Sequence, residues 1–387
     1  MQEDYKIRVG IKTSGSPLIK PLGKSWFLKN MLIGDGFHWQ TEIEAILPGE
    51  IEKYRDVSKD EKYSDCDRNI SLVNTLPLET YLECVVGSEM NPASPGEFLK
   101  AHAIISRSWA LGKILVAHRQ DSTGKEATAE KLVGWDDTAV HKGFDVCSDD
   151  HCQRYQGMQP ISDAALEAIK ATEHEVLIDS HGQPADTRFS KCCGGITELF
   201  STCWQPVDFH YLESFEDPWC NLEGLAPLQR RALLSNILKD YDLETDGYGF
   251  RWHAEVTKED IKNNLLKNFG RSVGEIRGLE VMHRGPSGRI DLLRIKGSEG
   301  ILDLGKELWI RRLLSPSHLY SSAFEIEDKG DSLMLSGRGW GHGVGLCQIG
   351  AANMALHGHT CREILQFYYP GCKIASLKDI KVKVKSL

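Results

Sequence analysis

No apolar run in the chain approaches the length of a membrane span. The first residues, MQEDYKIRVG, also lack the charged-then-apolar pattern of an export leader. Read literally, the chain is expected to be soluble and without a signal peptide, although a chain trimmed of its leader reads the same. A basic face is missing too. The formal net charge is −9 and no local Lys/Arg cluster stands out, which argues against a nucleic-acid partner. Internal repeats and low-complexity tracts are absent. Even the glycine-rich stretch GRGWGHGVGLCQIGA, residues 337–351, is no phosphate loop. Its six glycines in fifteen residues surround His342, but neither G-x-G-x-x-G nor G-x-x-x-x-G-K-[ST] can be read there. What is present is an ordinary globular composition, 41% hydrophobic and 26% charged over 387 residues, enough for two or three units with a real core. Cysteine is not scarce. There are eleven, at 66, 84, 147, 152, 192, 193, 203, 220, 347, 361 and 372, in a chain too long for a small disulfide scaffold.

Residues 1–75 read as a small β unit, with KIRVGIK alternating and Gly/Pro/Ser breaks between runs. A helix is predicted over 77–90, where Leu78, Leu82 and Val85 recur at helical spacing. The next helix opens with Ser94, Pro95 and Glu97, the pattern of a capping box with proline at the first helical position. Its apolar residues lie nearly all round, which predicts a buried, central element. Residues 120–160 are polar and loop-like. Residues 221–275 read as a charged helical insertion, separating 76–220 from 276–387 as two parts of one catalytic domain. The expected fold is α+β, with mixed strands around a buried helix pair rather than a doubly wound sheet.

Glu89 falls on the same helical stripe as Leu78, Leu82 and Val85, so a carboxylate ends an apolar face. Desolvation there would raise its pKa and suit it to acid catalysis; the alternative is a helix-end Glu that swings out to water. His141, Cys147 and Cys152 form H-x5-C-x4-C, with His151 beside the last cysteine. Two thiolates and an imidazole suit a tetrahedral zinc with a fourth ligand from elsewhere or water. A local disulfide or free thiols are the alternatives. Asp149 and Asp150 predict that this loop lies at the surface. Adjacent Cys192 and Cys193 precede Gly194 and Gly195 and are poorly placed to pair with each other. Arg107, in the buried helix, needs a carboxylate or a bound substrate. His342 is either a ligand-binding imidazole or a packed one.

Taken together, YLECVVGSEMNPASPGEFLKAHAIISRSWAL, HCQRYQG, RFSKCCGGITE and GRGWGHGVGLCQIGAANMALHGHTCREILQFYYPG resemble, in order, the motif blocks of the SpoIID/LytB family. The resemblance covers roughly 76–220 and 276–375. It implies a lytic transglycosylase acting on peptidoglycan glycan strands stripped of their stem peptides, with Glu89 as the catalytic glutamate. It also implies a structural zinc on His141, Cys147 and Cys152, and a place in the cell envelope. Some family members are amidase enhancers, so a non-catalytic glycan-binding activator of a cell-wall amidase is the alternative, and a zinc hydrolase a third reading. Arg107, Gly194, Gly195, His342 and Gln348 are the expected substrate-side residues. Two departures stand out: Lys191-Cys192-Cys193 where small polar residues are usual, and Leu346-Cys347 where Met-Ser is common.

Overall fold

The alternation in KIRVGIK puts Ile7, Val9 and Ile11 on one face of the first strand, Lys6–Leu22, and all three are fully buried. The computed structural model describes residues 5–34, 40–54, 69–116, 124–135, 141, 143–237, 249–315 and 319–380. The first strand lies between two antiparallel neighbours, Ser25–Ile33 and Ile70–Pro77. Thr41–Pro48 and Glu50–Lys53 complete those two sides. One more strand, Val146–Cys147, joins the first in parallel, pairing Val9 with Val146 and Gly10 with Cys147. This distant pairing carries the His/Cys segment onto the N-terminal sheet.

Two helices follow, α1 (Leu78–Glu89) and α2 (Gly96–Val116). The second is buried on every side, as its all-round apolar pattern predicts: Phe98, Ala101, Ala103, Ile104, Ile105, Ala110 and Leu111 have no exposed surface. The predicted capping box does not form. The Ser94 hydroxyl donates to the Asn236 carbonyl, and Glu97 takes up Lys100 and the backbone N–H of Cys361. Tertiary partners outbid the local motif. Arg107 is fully buried, and its guanidinium makes a two-pronged pair with Glu79 of α1 (2.8 Å to each oxygen) and donates to the Glu175 carbonyl. Of the two partners the sequence left open for Arg107, the structure shows the carboxylate, that of Glu79. A guanidinium with no exposed surface clamps α1 to α2 and has no face to offer a ligand.

A second core forms around Leu132, Ile290, Leu293, Ile295, Leu304, Ile310 and Leu335, separate from the one around α1 and α2. Its five-stranded sheet runs Ile276–Arg284, Ile290–Gly297, Ile301–Gly305, Lys131–Trp135, Gly124–Ala127. So part of the stretch read as loop, 124–135, is a hairpin completing a sheet from the last third of the chain. The segment 221–275 is not wholly helical either. Helices Pro227–Ser235 and Lys258–Phe269 flank a strand, Trp252–Thr257, that pairs with Ser332–Gly337. In each case the pairing partner lies far along the chain, where no local pattern can report it. The architecture is α+β. Among the described residues no helix is long and apolar enough to cross a membrane.

Candidate functional site

Glu89 closes α1 on the stripe that the sequence assigns it, and its side chain is buried, 8% exposed. It does not swing out to water. The backbone N–H of Arg154 donates to Glu89 Oε1 at 2.9 Å. The neighbouring backbone N–H of Gln156 donates to the Ser88 hydroxyl at 3.1 Å, and Tyr81 donates to Gln153 Oε1 at 3.2 Å. Residues 153–156 are thus stitched along α1 from Tyr81 to Glu89. Burial raises the Glu89 pKa above the ordinary carboxylate range. Arg154 opposes that shift, Asp150 adds to it, and Lys191 opposes it more weakly. The Arg154 guanidinium is itself paired with Asp150 at 2.7 and 2.9 Å, which leaves only part of its charge to act on Glu89. Arg154, Asp150 and Lys191 are site residues that the sequence reading missed. Arg154 and Asp150 sit at i, i+4 in an irregular segment, with no periodic signal to mark them.

The segment before Arg154 gathers four metal-ligand side chains. Ligand atoms of His141, Cys147, His151 and Cys152 all lie within 4.8 Å of one another. His141 Nε2 is 3.1 Å from Cys152 Sγ, and His151 Nδ1 is 3.6 Å from the same sulfur. The donor set fits a tetrahedral zinc, and His151 supplies the fourth position that sequence spacing left open. Hydrogen bonding from Cys152, and then from His141 and His151, draws the Cys147 thiol well below its ordinary pKa against the effect of burial. Asp149 does not keep this loop at the surface. It is 3% exposed, pairs with Lys12 at 3.3 Å and accepts from the Gly34 backbone at 3.2 Å. Two strands of the N-terminal sheet meet these charges and pull the loop in. Burial pushes Asp149 up to about 6.

The glycine stretch wraps a buried arginine. Arg289, with no exposed surface, donates to the carbonyls of Gly341 and Cys193 and to the Ser287 hydroxyl. Gly343 has φ +77°, and a Cβ there would run into the Arg289 guanidinium; at Gly345, φ +70°, it would meet the Arg188 carbonyl. The glycines give room for backbone to close around Arg289 and against the strand Phe189–Ser190, which pairs in parallel with Leu346–Cys347. Gly194, φ +80°, backs onto Gly339 in the same way, while Gly195 is half-buried beside Phe250. His342 accepts from the Val344 N–H at 3.0 Å, and its ring also hydrogen-bonds the Phe189 backbone. Burial, with Arg188, Arg289 and Arg311 nearby, pushes its pKa well down. Gln348 is buried with its amide nitrogen 3.3 Å from His102 Nε2. These contacts make His342 and Gln348 supports of the loop. Glu198, in the strand turn, is a further support. It is fully buried and accepts from Leu199, Thr202 and Ser287.

The buried helix-end glutamate and the His/Cys cluster beside it both fall within residues 66–178, which match the Stage II sporulation protein family. The match covers the first helix pair and the His/Cys loop, and it supports the likeness to the SpoIID/LytB family. Residues 198–345 match a domain of unknown function, DUF8618. The chain is similar to an uncharacterised protein of Brachyspira hyodysenteriae, 28% identical over 309 residues, which span 80% of this chain and 69% of that one. It is similar to stage II sporulation protein D of Bacillus subtilis, at 26% identity over 78% of this chain and 76% of the relative. An amidase enhancer of Bacillus subtilis is 24% identical over 76% of this chain, which covers 40% of that longer protein.

Proposed function

We propose that this protein acts at the bacterial cell wall and cleaves peptidoglycan glycan strands as a lytic transglycosylase, with Glu89 as the single general acid and base. The match to the Stage II sporulation protein family and the likeness to stage II sporulation protein D support the cell-wall role. The observation that carries the finer reading is the buried carboxyl of Glu89, its pKa raised by burial, held on the Arg154 N–H. Glu89 donates its proton to the glycosidic oxygen. As carboxylate it then takes the proton of the muramic acid C6 hydroxyl, which closes the 1,6-anhydro ring. No water is activated, so no second catalytic carboxylate is needed. The Arg154 N–H and Lys191 favour the carboxylate that forms between the two transfers. The Gly194–Gly195 turn lends backbone to the wall of the glycan path. His141, Cys147, His151 and Cys152 would hold a structural zinc that fixes the loop running into Arg154.

The test is incubation with peptide-stripped glycan strands and mass analysis of the products. Anhydro-ended fragments are expected from the wild type. Glu89→Gln should lose activity by about 10²–10⁴-fold, the usual worth of general acid–base catalysis, while still folding to a cooperatively melting state. A Glu89→Gln variant with wild-type turnover sinks the assignment. The likeness to an amidase enhancer supports a second reading, in which the chain binds glycan without cutting it and stimulates an amidase. Binding with no products, together with faster stem-peptide release by an added cell-wall amidase, would favour that reading.

A further inference from the structure

Away from Glu89 and its His/Cys loop, three separated segments bring soft ligand groups to one buried point. Cys193 comes from the strand turn, Asp217 and Cys220 from the short helix Pro218–Cys220 and the residue before it, and Cys347 from the glycine stretch. Their four ligand atoms all lie within 4.8 Å of one another, and all four residues are buried. Cys193 Sγ is 3.3 Å from Cys220 Sγ and donates to Asp217 Oδ2 at 3.2 Å. The backbone N–H groups of Cys193 and Gly350 converge on Cys347 Sγ at 3.3 and 3.4 Å. Sulfurs bound 2.3 Å from a tetrahedral zinc stand about 3.8 Å apart, so a slight opening of this cluster admits the ion.

We propose that Cys193, Asp217, Cys220 and Cys347 form a second, structural metal site, for a thiophilic divalent cation of the zinc class. Three features support a built site over a chance gathering of small apolar thiols. First, Asp217 is 1% exposed, and among the described residues no lysine or arginine pairs with it, so a bound cation is the missing counter-charge. Second, its carboxylate is oriented as a metal ligand is: Tyr368 donates to Oδ2 at 2.9 Å and the Trp219 N–H to Oδ1 at 3.0 Å. Third, Gly350 leaves the space open, since a Cβ there would come within 2.6 Å of Asp217 Oδ2. Thiolates select zinc over calcium or magnesium. On binding, each coordinating thiol gives up its proton to solvent and no redox step is involved. The two cysteine departures at Cys193 and Cys347 become two ligands of one ion, which fastens the glycine stretch to the strand turn independently of what Glu89 does.

The full-length chain, purified without chelator, is counted for zinc. We expect about two ions per chain, one for each four-ligand cluster. Cys220→Ser should reduce the count by one, and so should Cys152→Ser, which leaves the second cluster intact. If Cys220→Ser does not fold, Asp217→Asn keeps the side-chain shape and should release one zinc at a chelator concentration that the wild type withstands. A wild-type count of one that vanishes in Cys152→Ser overturns the proposal. So does a denatured, unreduced intact mass two hydrogens below the sequence mass with a Cys193–Cys220 bridged peptide, because those thiols would then be a disulfide.

Discussion

Burial lifts the pKa of Glu89, and Arg154 and Lys191 only partly restore it. The folded-state value therefore lies above the unfolded one. Between the two values the native state holds a proton that the unfolded chain has lost, so stability falls as pH rises through that window. Glu89→Gln removes the penalty while keeping an oxygen for the Arg154 N–H. The variant is expected to melt higher than the wild type near about pH 7, and the gap should close as pH falls towards about 4, where both states are protonated. Thermal melts across that range check it; a gap that is absent, or that widens on acidification, contradicts the burial account. The same stripe that marks Glu89 in the sequence marks it in the structure, because a helix face is a local property. Arg154 and Lys191 reach Glu89 from other elements, and nothing in their own neighbourhoods announces it.

Arg107 and Glu79 tie α1 to α2, and the burial of the pair is unequal: 0% of the arginine side chain is exposed against 28% of the glutamate. Glu79→Gln leaves a guanidinium buried against a neutral amide and is expected to destabilise by about 3–5 kcal/mol. Arg107→Met should be milder, since Glu79 can turn towards water. Urea unfolding of the two variants tests the order, and the reverse order would contradict it. The elements also show where short-range signals fail. Ser94, Pro95 and Glu97 carry the residues of a capping box, but Asn236 and Cys361 claim their side chains. A true capping box forms at Thr360 and Glu363 instead, at the start of Cys361–Tyr368.

Across the whole molecule, the His141–Cys152 loop joins the N-terminal sheet through Val146–Cys147 and presses residues 153–156 onto α1. Stripping metal from this cluster should loosen that connection before it melts the helices. Chelator treatment is expected to lower the melting temperature and to speed hydrogen exchange at Arg154 and Gln156, with α2 still protected. Unchanged exchange at those amides would separate the metal loop from the Glu89 site. The second core, built from residues 124–135 and the region 252–335, lies outside this linkage, and its sheet is expected to keep its protection.

The sequence by itself determined the α+β class, the buried helix pair, the glutamate at the end of an apolar stripe and three members of the His/Cys cluster. Each of these is written in a period or a spacing within about one element. Tertiary structure alone decided that the glycines make room for Arg289, that Arg107 pairs with Glu79, that Gln348 meets His102, and that Cys193, Cys220 and Cys347 meet beside Asp217. Those outcomes depend on groups up to 246 residues apart competing for the same buried space. Only the closed fold settles that competition.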